Sequence, residues 1–91
     1  MKARHFVYPA DKISYEDSDR ACDYITDYYK WKERKSNTKI TTYAAGFAAF
    51  NTLRRAVSFM NRAHYETGVP FVVECRYGHK YKKFYGSVPR I

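Results

Sequence analysis

The segment from Arg76 to Lys83 alternates cations with aromatic rings, and its residue types suit contact with a polyanion. Lysine and arginine neutralise phosphate charge and release counterions, while tyrosine rings offer faces to unpaired bases and sugars. The candidate nucleic-acid-binding residues there are Arg76, Tyr77, His79, Lys80, Tyr81, Lys82 and Lys83. A two-stranded ribbon of this composition also fits a DNA major groove. The competing reading is structural, because tyrosine is a good strand former and lysine commonly guards an exposed sheet edge. Lys30, Trp31, Lys32, Arg34 and Lys35 form a second basic patch. It reads first as a helix end whose cations complement the helix dipole with Trp31 packed inward, and second as an auxiliary contact to the same polyanion. Arg54 and Arg55 are adjacent and diverge by about 100° on a helix, so they do not share a narrow reading face.

Catalytic readings find little support in the same residues. Val72-Val73-Glu74-Cys75-Arg76 is similar to the Glu-x-Lys strand of metal-dependent nucleases of the restriction-endonuclease type, but Arg76 stands where Lys is expected. No Asp on a preceding strand completes a magnesium site, so a Glu74–Lys83 cross-strand pair is the better account. Cys75 and His79 flank a turn, yet no motif spacing supplies zinc partners or a nucleophile and base. Cys22 and Cys75 do not amount to a disulfide framework and read as buried thiols. The expectation is a protein without enzymatic activity, without a catalytic or metal site, and without a cofactor.

The chain has 91 residues, a net charge of +8, ten Tyr, six Phe and one Trp. This length holds one small core and a single domain spanning 1–91. Ile, Leu and Val total only eleven, so aromatic rings are expected to fill much of the interior. No apolar run approaches the roughly 20 residues of a membrane helix, and the first residues lack the apolar stretch of a signal peptide, which points to a soluble, cytoplasmic protein. Charge is segregated: residues 13–29 sum to −4, while 30–39 and 67–91 each sum to +4.

Helical spacing of Ala21, Cys22, Ile25, Tyr28, Tyr29 and Lys32 predicts a first helix capped by Ser14 with Asp17 three residues on. Asp19, Asp23 and Asp27 form a solvated acidic line on it. A second helix is expected from Thr42, with Phe50, Leu53, Val57, Met60 and His64 on one face and Gly68 with Pro70 at its end. Residues 39–42 read as a brief strand or as the lead into that helix. Ala45-Gly46-Phe47 with Leu53, Arg55 and Val57 resembles, over about a dozen residues, the helix-turn-helix of AraC-type regulators, in which a Gly-Phe turn precedes a recognition helix. Ala48-Ala49-Phe50 departs from that pattern, and one continuous helix with an internal glycine is the preferred reading. The order of two helices and a basic hairpin also loosely resembles a winged helix, lacking its third helix.

A short first strand over 4–8 and a hairpin of Phe71–Tyr77 with Lys80–Tyr85 complete the elements. A two-residue Gly78-His79 turn would set Glu74 opposite Lys83 and Val73 opposite Phe84. The expected fold is α+β: a short N-terminal strand, two helices and a C-terminal β-hairpin, forming a small antiparallel sheet packed on the helices. The expected function is non-enzymatic DNA or RNA binding through the hairpin. The alternative is a small inhibitor or accessory subunit, of a kind phages encode, that docks on an acidic or nucleic-acid-handling protein such as a host polymerase or defence nuclease. An exposed aromatic patch across both helices favours the second expectation; clustered cations favour the first.

Overall fold

The computed structural model describes residues 4–36, 46–78 and 81–88. Among these, the chain runs β1 (His5–Pro9), α1 (Tyr15–Ser36), β2 (Ala48–Phe50), α2 (Leu53–Thr67), β3 (Phe71–Tyr77) and β4 (Tyr81–Gly86). The α+β class and the C-terminal antiparallel pair are as expected. The four strands form one antiparallel sheet in the order β2-β1-β3-β4, with both helices packed against one of its faces.

Local signals set the helices. Ser14 Oγ accepts from Asp17 N–H at 3.1 Å, and α1 carries Glu16 and Asp17 in its first turn and Arg34 and Lys35 in its last, matching the dipole at both ends. Its buried line is Ala21, Ile25 and Tyr29. The second helix starts later than the sequence pattern suggests. Gly46 takes a left-handed φ of 78°, Ala48–Phe50 extend as β2, and Thr52 caps α2 by accepting from Arg55 N–H at 3.3 Å. The continuous helix is therefore corrected, and so is a helix-turn-helix, since a strand separates α1 from α2. The proposed Thr42 cap and the segment 39–42 lie outside the described residues. Ala56, Met60 and Ala63 form the buried line of α2, and Gly68 ends it at φ 74° with its N–H on His64 O at 2.8 Å.

The core is less aromatic than composition implies. Val7, Val69, Phe71, Val73, Cys75, Met60 and Ile25 are fully buried with four alanines, whose small side chains let helices and sheet approach closely. Tyr29 is buried with its hydroxyl accepting from Ala49 N–H at 2.9 Å, which supplies a partner for short β2. Cys75 is buried as expected, whereas Cys22 is only partly so.

The hairpin register differs by one residue from the expected one. Tyr77 pairs with Tyr81, so three residues, 78–80, lie between the strands, with Gly78 at φ 71°. A shift of one residue exchanges the faces of the returning strand. Glu74 therefore lies opposite Phe84, Cys75 opposite Lys83 and Val73 opposite Tyr85. Tyr85, not Phe84, packs on the core; Phe84 is 56% exposed on the other face.

Candidate nucleic-acid interface

Strand alternation sorts the hairpin residues into two sets. Tyr77, Tyr81 and Lys83 share the helix-side face with Cys75 and Tyr85, while Arg76, Lys82 and Phe84 share the open face with Glu74. His79 and Lys80 lie outside the described residues. The cations and rings that alternate in sequence thus belong to two surfaces. The pair is also not a free ribbon, because β3 is hydrogen-bonded on its other side to β1 and Arg76 N–H donates to Arg4 O at 3.0 Å. The hairpin is thus part of a wider sheet, and among the described residues its tip is the part that extends past β1.

On the helix side of the tip, Tyr77 and Tyr81 are exposed with ring centroids 5.6 Å apart. Lys83 Nζ lies 5.2 Å from the Tyr85 ring centroid, and a hydrogen bond to Tyr85 raises the Lys83 pKa above its ordinary value. Beneath them, His5 Nδ1 and Cys75 Sγ are 3.0 Å apart in the interior. Burial lowers the His5 pKa, with Arg4 adding to the effect, and burial raises that of Cys75, so both groups are held neutral. A neutral buried thiol has little nucleophilic character.

The open face is arranged in cross-strand rows. Arg4, Arg76 and Lys82 form a basic row; Ala49, Phe6, Glu74 and Phe84 form the next; Tyr8, Val72 and Gly86 the third. The Arg76 guanidinium lies 4.5 Å from the Phe6 ring centroid, and the Phe47 ring meets Phe6 edge-on at 5.6 Å. Glu74 is 8% exposed and accepts from Arg76 Nε at 2.6 Å and from Tyr8 Oη at 2.9 Å, with Lys82 Nζ 3.9 Å away. The Arg76 hydrogen bond leads in holding the Glu74 carboxyl below its ordinary pKa, against the opposing effect of burial. Burial and the bond to Glu74 push the Tyr8 pKa up to about 12. The expected Glu74–Lys83 pair is replaced by Glu74 with Arg76 and Lys82, a consequence of the register. Both Glu74 oxygens are engaged, and among the described residues no group of three His, Cys, Asp or Glu is placed to hold a metal ion.

The second basic patch sits in the helical layer. Lys30, Lys32, Arg34 and Lys35 have Trp31 among them, but Trp31 is not turned inward: it is 48% exposed and stacks on Tyr28 at 6.3 Å. Lys35 Nζ lies 5.5 Å from the Trp31 centroid and Lys32 Nζ 5.6 Å from that of Tyr28. Tyr28 meets Phe59 of α2 at 4.7 Å. These rings line a groove of about 600 Å³ between the helices, with Tyr24 and Asp27 from α1 and Arg62 and Glu66 from α2. Sequence reasoning missed Phe6 and Phe84 as residues of the open face, since only the pairing register reveals which face they occupy, and Phe47 with them, which is placed there by its ring contact with Phe6.

Comparison with protein-family models, with curated proteins and with solved structures gave no match. Among the described residues no helix is long and apolar enough to cross a membrane.

Proposed function

We propose that this chain is a non-enzymatic nucleic-acid-binding protein whose contact surface is the C-terminal hairpin. The observation that carries the reading is the outward display of Arg76, Lys82 and Lys83 on paired strands beside exposed Tyr77, Tyr81 and Phe84, in a chain of net charge +8. His79 and Lys80 belong to the same turn by sequence. Lys30, Lys32, Arg34 and Lys35 add a second cationic surface at the end of α1. Such binding is dominated by counterion release, so affinity for DNA or RNA falls steeply with salt. Replacing Lys80, Lys82 and Lys83 together with alanine weakens it and flattens the log K against log salt slope by about 2 to 3, near 0.7–0.9 per contact. Binding that ignores both salt and the triple substitution refutes the site.

The groove between the helices favours a second reading, a protein partner. Trp31, Tyr28 and Phe59 supply the ring types that anchor protein interfaces, and they lie away from the hairpin tip. Capture from lysate with and without nuclease separates the two readings. A partner that survives nuclease and is lost with Trp31→Ala is a protein on this groove; a partner lost with nuclease was held by nucleic acid.

A further inference from the structure

We infer that the open face of the sheet is a stacking platform for single-stranded nucleic acid, bases lying on Phe84 and on the Arg76–Phe6 stack while Arg4 and Lys82 meet phosphates. This deepens the nucleic-acid reading and rests on it. Both helices pack on the opposite face, so among the described residues no helix covers the rows formed by β1, β3 and β4. Phe84 stands 56% exposed there, two residues from Lys82 on the same face of β4 and directly opposite Glu74. The Arg76 guanidinium on the Phe6 ring presents a second flat surface, and base stacking on guanidinium planes and on aromatic rings is a common means of holding unpaired bases. Among the described residues, three cations, Arg4, Arg76 and Lys82, share these rows with one carboxylate, which Arg76 and Tyr8 engage and Lys82 approaches at 3.9 Å, leaving a net +2. The remaining charge is complementary to a phosphate backbone.

Geometry selects a single strand over a duplex. Phe6 and Phe84 flank the central strand β3, two strand spacings or about 10 Å apart. That is about three times the 3.4 Å rise between stacked bases, so nucleotides on both surfaces are unstacked from each other. A four-stranded sheet spans about 14 Å between outer backbones before side chains are added, wider than the ~12 Å major groove.

The test uses fluorescein-labelled twelve-nucleotide oligothymidylate and a twelve-base-pair duplex, titrated at one fixed salt concentration, with circular dichroism confirming the fold of each variant. The wild-type chain is expected to bind the single strand more tightly. Phe84→Ala should weaken single-strand binding roughly ten-fold, as loss of one stacked base does, and Phe84→Tyr should restore it while Phe84→Leu does not. Duplex binding should change little in all three. Single-strand affinity untouched by Phe84→Ala but reduced by the triple lysine substitution overturns the platform and leaves hairpin binding standing. Equal loss for duplex and single strand, or for Tyr and Ala alike, overturns it as well. Failure of the wild-type chain to bind either probe overturns both readings.

Discussion

Glu74→Gln separates stability from binding by moving them in opposite directions. The wild-type carboxylate is nearly out of solvent and accepts from Arg76 Nε at 2.6 Å and Tyr8 Oη at 2.9 Å. A hydrogen bond to a charged group contributes about 1.5–3 kcal/mol when buried. Arg76 is 54% exposed, which brings its share nearer the 0–1 kcal/mol of surface pairs. Glutamine keeps an acceptor oxygen for only one of the two donors, sets an NH2 where the other oxygen stood, and gives up the charge; if the oxygen stays with Arg76, the Tyr8 hydroxyl can turn to accept from the NH2, so a loss of about 1–2 kcal/mol at pH 7 is expected. For a domain this size that is a fall in Tm of about 4–15 °C. The folded state holds the Glu74 carboxyl below its ordinary value of 4.5, so its contribution is complete above that pH and is lost as pH falls through the folded value. The gap between wild type and variant should therefore close in acid.

Binding responds with the other sign. The substitution raises the net charge from +8 to +9 and removes the only carboxylate from the rows around Arg76 and Lys82. Phosphate affinity at neutral pH should rise, with a salt slope steeper by up to about 0.7 if one more contact forms on a single strand. Thermal unfolding followed by circular dichroism between pH 3 and 7, with salt titrations of oligothymidylate binding at pH 7, checks both halves. A Tm gap that persists undiminished in acid refutes the assigned role of the carboxylate. Weaker binding by a variant that is fully folded at the assay temperature refutes the electrostatic account of the face.

Tyr29→Phe removes the hydroxyl that takes Ala49 N–H and should cost about 1–2 kcal/mol, with the Ala49 amide exchanging faster in hydrogen-exchange NMR; unchanged exchange counts against that bond. His5 is held below its ordinary pKa of 6.5 by burial and by Arg4, so stability is complete above about pH 6.5 and declines as pH drops, when the unfolded chain gains the proton first. Denaturant midpoints measured from pH 7.5 to 5.5 should fall for wild type and flatten in His5→Gln, and parallel curves would contradict this.

What the sequence discloses is governed by range. Ser14, Gly68 and the i, i+4, i+8 line of Ala21, Ile25 and Tyr29 in α1 act within a few residues, so both caps and the first helix are legible. β2 is not, because Ala48 and Ala49 carry helix preference and three residues hold no periodicity; Gly46 before it and Thr52 after it are the signals that bracket it. The position of β1 between β2 and β3 depends on pairings across more than 40 residues, beyond any local pattern. The hairpin exists as read, yet one additional residue in its turn moved Phe84 from the core to the open face and gave its place to Tyr85. That exchange decides the candidate site. Arg76 and Lys82 belong with Phe84 and Phe6, not with Tyr77 and Tyr81, and only the register says so.

Structural need does not account for all of that face. Two helices suffice to cover one side of the sheet, and the other must protect its own apolar surface. Phe6 does so under Arg76 and against Phe47, while Tyr8 and Arg76 satisfy Glu74. Each of these residues has a structural role sufficient to explain its presence. Phe84 does not: its ring stands opposite a carboxylate, on an edge strand, and remains more than half exposed. An exposed phenylalanine on a sheet edge invites unwanted pairing, a tendency the neighbouring Lys82 and Lys83 oppose through charge. The same two lysines that guard the edge draw a phosphate backbone to it. Phe84 is therefore the residue in which a ligand-binding role is least entangled with folding, and it is where the proposal is most open to refutation.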